Sequence, residues 1–121
     1  MTTIVIMGGP RTGKTTMADR ITDQARHTDD TIGLGWDGAI DEVSRWMDGA
    51  GVIEGTQAVR GMRKWLADHP TGKPCDEVVY LKHSIVLQTR GQRIMAKGIN
   101  TVFEEIKPEL IRRGVVIKQG A

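Results

Sequence analysis

The chain has 121 residues, 39% of them hydrophobic and only one a phenylalanine, enough for one domain with a modest core and short inserts. It carries neither a secretory leader pattern nor an apolar run long enough to span a membrane, so a cytoplasmic protein is expected, in the host cytoplasm if the chain is phage-encoded. The single cysteine, Cys75, excludes an internal disulfide, and the net charge of +2 excludes a uniformly basic or acidic surface.

Ile4-Val5-Ile6-Met7 reads as a short buried strand. Gly8-Gly9-Pro10-Arg11-Thr12-Gly13-Lys14-Thr15 follows, and it matches G-x-x-x-x-G-K-[ST] at each fixed position. Thr16 to Ala25 reads as a helix, with Met17 and Ile21 on one face. Strand, glycine loop and helix together make an anion cradle. Glycines bring backbone N–H groups close to phosphate, and the helix N-terminus adds partial positive charge. In this pattern Lys14 reaches the β- and γ-phosphates, and the Thr15 hydroxyl binds magnesium. Residues Gly8 to Thr16 are therefore the candidate ATP and Mg²⁺ site. Arg11 is equally consistent with a phosphate contact and with a solvated loop position.

A short second strand is expected to end near Arg26-His27-Thr28-Asp29-Asp30-Thr31. Acids at the carboxyl end of a strand lie where open α/β sheets place ligands. A carboxylate there can take the proton of a substrate hydroxyl. Asp-Asp is also an ordinary turn signal. Gly33 to Gly38 then reads as a loop around Trp36. A helix follows near Ala39 to Met47, with Ile40, Val43 and Met47 inward. Trp36 and Trp46 are expected in the core, with base stacking as the second role for Trp36.

Gly51-Val52-Ile53-Glu54-Gly55 reads as a strand ending in an acid, the position of the residue that holds magnesium or its water opposite a phosphate loop. Thr56 to Ala67 reads as a helix with Val59, Met62 and Leu66 buried. Arg60, Arg63 and Lys64 share another face, either a solvated basic stripe or an anion contact. His69 to Pro74 is a loop, and Val78 to Leu81 a strand. Ser84 is expected to cap a helix to Lys97, with Arg90, Arg93 and Lys97 in one stripe. This basic segment, residues 84–98, suits a small lid, and Arg90 and Arg93 would cover a transferring phosphate. Thr101-x-x-Glu104 has the capping-box pattern and is expected to open a separate helix, which Pro108 kinks or restarts. Val115-Val116-Ile117 is the last expected strand. The alternation of strands and helices argues for a parallel α/β sheet.

Residues 1–54 hold five basic and nine acidic side chains, and residues 55–101 hold eight basic and three acidic. That excess suits either a polyanion or a nucleoside triphosphate.

In Lys14-Thr15, His27-Thr28-Asp29-Asp30, Ile53-Glu54-Gly55 and Arg60-Gly61-Met62-Arg63-Lys64-Trp65 the chain resembles a small P-loop kinase. More narrowly, it resembles the bacteriophage 5-hydroxymethyluridine DNA kinases, which phosphorylate the hydroxymethyl group of a modified pyrimidine in DNA. The resemblance runs over nearly the whole chain and implies one three-layer P-loop domain over 1–121, with a five-stranded parallel sheet in the order 2-3-1-4-5. In the wider group, which includes polynucleotide kinases, the first acid after the second strand is the general base. This implies Asp29, with Asp30 its neighbour and competitor. The implied cofactors are ATP and Mg²⁺, with Thr15 and Glu54 at the metal. The implied acceptor is DNA bearing a hydroxymethylated pyrimidine, with Arg60, Arg63 and Lys64 as candidates for its backbone and Glu54 acting through water or on the substrate side; Trp36 is the candidate for base stacking by its place near the acidic turn. A kinase for a free nucleoside or nucleotide, and a nucleotide-binding regulatory protein without transfer activity, are the alternatives.

Overall fold

The computed structural model describes residues 2–49 and 51–120. The elements follow in the order β1 (Thr3–Gly8), α1 (Lys14–Ile21), β2 (Arg26–His27), α2 (Gly35–Trp46), β3 (Gly51–Glu54), α3 (Ala58–Asp68), β4 (Glu77–Leu81), α4 (Arg90–Arg112) and β5 (Val116–Gly120). A 3₁₀ segment, Thr28–Leu34, joins β2 to α2. All strand pairs are parallel and the sheet order is β2-β3-β1-β4-β5, as expected.

The strands are short and apolar because a parallel sheet is covered on both faces. Val5, Met7, Ile53, Val78 and Tyr80 point to one face, where α2, α3 and α4 supply Val43, Met62, Trp65, Ile99, Phe103 and Leu110. Ile6, Val52 and Val79 point to the other face, against Ala18 of α1. The three layers are thus α1, the sheet, and the α2–α3–α4 group. Each fully buried Val, Ile, Leu, Met or Phe contributes about 1.5–3 kcal/mol, so the larger cluster carries most of the stability.

Three expectations need correction. The segment expected as two helices is one, α4, and it runs through Pro108. The cause is packing: Ile99, Val102, Phe103, Ile106 and Leu110 form one buried stripe across the expected break. Proline removes one hydrogen bond and costs about 3 kcal/mol in a helix interior. Five buried apolar side chains outweigh that. Thr101 is not a cap, since its Oγ1 donates to Lys97 O at 3.0 Å inside the helix. The cap is Thr89, whose Oγ1 accepts from Gln92 N while Gln92 Oε1 accepts from Thr89 N. Ser84 lies outside the helix, and its Oγ accepts from Val86 N at 3.2 Å.

The second correction is at α1, which begins at Lys14 and ends at Ile21 rather than running to Ala25. The third is Trp36. It lies in the first turn of α2 rather than in a loop, and it is 55% exposed rather than in the core. Trp46 is half-buried against the core, with the Arg26 guanidinium 5.6 Å from its ring centroid. Cys75 is buried, and desolvation pushes its thiol up to about 12. Among the described residues, no helix is long and apolar enough to cross a membrane.

Candidate active site

The carboxyl ends of β1 and β3 open onto a cavity of about 740 Å³. Its floor is the glycine loop. Gly9 packs so closely on α4 that an added Cβ would stand 2.7 Å from Ala96 Cβ. Gly13 precedes α1 in the left-handed region, φ 89°, and no side chain among the described residues caps the first N–H groups of the helix. Those N–H groups and the aligned peptide dipoles favour an anion. Thr12 Oγ1 donates to Gly9 O at 3.0 Å and closes the loop on itself. Lys14 Nζ donates to the same carbonyl at 2.5 Å and to Thr12 Oγ1 at 3.3 Å. The lysine is buried. Desolvation lowers its pKa from the usual value, while the negative charges of Glu54 and Asp29 act to raise it.

Glu54 ends β3 opposite Ile6 of β1, which brings its side chain beside the loop. It is 4% exposed. Its Oε2 accepts from Thr15 Oγ1 at 3.0 Å and lies 2.9 Å from His27 Nδ1. The hydrogen bond to Glu54 raises the His27 pKa, against a smaller desolvation effect. A burial-deep carboxylate needs such partners. Gly55 then turns the chain with φ 141°, and an added Cβ there would stand 1.8 Å from Thr28 Oγ1. Thr28 itself is buried, and its Oγ1 accepts from Gln57 N at 3.4 Å. The small residue after the acid therefore lets the start of the 3₁₀ segment close over β3.

Asp29, on that segment, lines the cavity; Asp30 does not. Pro10 to Thr16, Trp36 and Glu54 also line it. Gly8 and Gly9, which open the loop, are buried and outside the cavity lining. Arg60 stands at the edge, its guanidinium 4.9 Å from the Trp36 ring centroid. Burial, with Arg63 nearby, lowers the Arg60 pKa.

The other basic candidates are not gathered at the cavity. Arg63 pairs with Glu105 at 3.5 Å, and Lys64 with Asp68 at 2.9 Å and Asp41 at 3.8 Å. Arg90 and Arg93 are exposed at the start of α4, outside the cavity lining, and Arg93 Nη1 donates to Gln88 O at 2.8 Å. The first turns of α4 turn Gln92 and Met95 to the cavity instead. The segment before α4 is tied down over the loop, since Ile85 N donates to Arg11 O at 2.8 Å and Gln88 Nε2 to Pro10 O at 2.6 Å.

Sequence reasoning gave no role to His27, Gln57, Ile85 or Val86. Gln57 follows Gly55 by two residues, and its position at the start of α3 was a readable signal. The His27–Glu54 contact depends on strand register and had no local signal.

Magnesium takes one or two protein oxygens together with substrate phosphates and waters. A hydroxyl and a carboxylate 3.0 Å apart beside the loop, Thr15 and Glu54, are a donor set of that kind. No protein-family model and no curated protein matches this chain.

Proposed function

We propose that this chain is an ATP-dependent kinase of the P-loop type that phosphorylates a hydroxyl group, namely the hydroxymethyl group of 5-hydroxymethyluracil in DNA. The observation that carries the kinase reading is the Thr15–Glu54 pair at 3.0 Å. It stands beside Lys14 and the glycine loop, with Asp29 on the wall of the same cavity.

In this reading the loop amides and Lys14 bind the β- and γ-phosphates. Thr15 and Glu54 would hold magnesium, which when bound neutralises charge on the phosphate oxygens. Asp29 accepts the proton of the acceptor hydroxyl as its oxygen bonds to the γ-phosphorus. The bond from that phosphorus to the β–γ bridging oxygen breaks, and ADP leaves. The segment tied over the loop by Ile85 and Gln88 helps to keep water from competing as acceptor.

Support for DNA comes from the charge left unpaired. Arg60, Lys82, Arg90, Arg93 and Lys97 have no carboxylate partner among the described residues. Four of them follow the end of β4 or lie on the first turns of α4, outside the cavity lining, and Lys82 and Lys97 share a separate pocket there. The pairing of Arg63 and Lys64 with acids favours the second reading, a kinase for a free nucleoside or nucleotide.

Incubation with labelled ATP and a panel of acceptors separates the two. Transfer to hydroxymethylated DNA, with none to unmodified DNA, is expected. Transfer to the free nucleoside alone would establish the second reading. Nucleotide binding without transfer to any acceptor would leave a non-catalytic nucleotide-binding module.

A further inference from the structure

Of the eleven large apolar side chains left exposed among the described residues, five line the cavity. Ile32 and Trp36 come from the stretch after β2, and Ile85, Val86 and Met95 from the stretch after β4. Ile32 and Ile85 are each 73% exposed. In the sheet, β2 and β4 lie on opposite sides of β1, whose end carries the glycine loop. The two apolar groups therefore rise on opposite sides of the loop. A cleft with apolar walls and a polar floor suits a flat aromatic ring held by its faces.

Two further observations point to what that ring belongs to. Gln57 lines the cavity, and its Oε1 is buried with no hydrogen-bond partner among the described residues. A buried acceptor of that kind calls for a donor, and the imide N–H of a uracil ring is one. Arg60 lies over the Trp36 ring with no carboxylate partner among the described residues, so the aromatic wall carries an unneutralised positive charge. A phosphodiester flanking the bound base would complement it.

We infer that the acceptor enters as an unstacked pyrimidine nucleotide of a DNA strand, with its ring against Trp36, its imide edge on Gln57 and its flanking phosphate beside Arg60. This rests on the kinase reading for its purpose. The geometry supports it for a simple reason of reach. A hydroxymethyl oxygen stands only two bonds from the ring, whereas Glu54 and Lys14 lie buried at the cleft floor. A substituent projecting from an intact duplex leaves its ring stacked between neighbours. To bring that oxygen to the loop, the ring itself must enter, and the cleft walls then replace the neighbouring bases.

The test is binding of fluorescent oligonucleotides that carry one 5-hydroxymethyluracil. They are presented as a single strand, as a fully paired duplex, and as a duplex with that base mismatched. The single strand and the mismatched duplex should bind about 10-fold or more tighter than the paired duplex, because the unpairing energy is already spent. Trp36→Ala should weaken single-strand binding by about 5- to 150-fold, the range for loss of one base–aromatic stack, and Trp36→Phe should retain it. Gln57→Leu should weaken binding of the modified strand but not of the same strand with an abasic site there. ATP affinity should be unchanged in Trp36→Ala.

Equal binding of paired and unpaired forms would overturn the inference. So would loss of ATP affinity with strand binding intact, which would make the apolar walls an adenine site. The expected binding pattern without phosphoryl transfer would overturn the kinase reading and leave the base-binding cleft standing.

Discussion

His27 and Glu54 are register partners on β2 and β3, and His27 Nδ1 lies 2.9 Å from the same Glu54 oxygen that accepts from Thr15. One buried carboxylate oxygen is thus shared between the edge strand and the glycine loop. The histidine holds the carboxylate in one orientation from behind. Loss of an outer-shell partner of this kind costs about 10- to 100-fold in metal affinity or activity. His27→Ala should therefore raise the magnesium concentration for half-maximal transfer by about 10-fold, with kcat at saturating magnesium much less affected. A titration of rate against magnesium checks this. An unchanged midpoint would mean that Glu54 is held by the strand alone.

Asp29 and Asp30 are neighbours in sequence, but only Asp29 lines the cavity. Asp29→Asn is expected to lower kcat by about 10²- to 10⁴-fold with ATP affinity retained, the usual range for losing a general base. Asp30→Asn should change kcat little. Turnover and nucleotide binding measured on both variants decide it, and the reverse pattern would move the base by one residue.

Gly55 is required twice over. Its φ of 141° is strained for any other residue, and an added Cβ would overlap Thr28 Oγ1. Backbone strain of this type costs about 1–3 kcal/mol. Gly55→Ala should lower stability by at least that much in urea unfolding, with Glu54 displaced and transfer reduced in the fraction that folds. Gly55→Ala together with Thr28→Ser, which keeps the offending oxygen, should rescue little. Wild-type stability in the single variant would show that the turn after β3 is pliable.

If the acceptor is DNA, as proposed, the distribution of paired charge predicts which basic side chains its backbone would meet. Arg63 and Lys64 are held by Glu105, Asp68 and Asp41, whereas Arg90 and Lys97 have no such partners among the described residues. Removing one phosphate contact lowers the slope of log affinity against log salt by about 0.9 on duplex DNA, or about 0.7 on single strands. Arg90→Gln and Lys97→Gln should each produce that change, and Arg63→Gln and Lys64→Gln should not. A reduced slope in the latter pair would mean that those exposed ion pairs, worth about 0–1 kcal/mol, open to meet the strand.

Cys75 is buried, and desolvation pushes its thiol to about 12. Thiolate, not thiol, reacts with disulfide reagents. Near pH 8 the folded protein should react slowly, at the rate of unfolding, and fully in denaturant. Immediate stoichiometric reaction of the native protein would show that the Cys75 segment opens readily.

The loop pattern, the alternation of strands with helices, and the acid at the end of β3 were legible in the sequence because each is a local signal. Apolar runs bounded by glycines state a strand and its turn within a few residues. A helix after Gly13 was legible in the same way, although it opens at Lys14, two residues before the expected start. Other features depend on residues far apart in the chain, and only the tertiary structure decided them. Register alone puts His27 against Glu54. The length of α4 followed from a buried stripe that outweighed Pro108, and Thr101 lost its cap to Thr89 as a result. Trp36 looked like a core residue by composition, yet α2 turns it to the cleft beside Arg60. The basic excess between residues 55 and 101 was visible as a sum. Lys64–Asp68 and Lys73–Asp76 are local pairs, four and three residues apart, but Arg63 meets Glu105 and Lys64 meets Asp41 only because the fold brings those acids in from other helices.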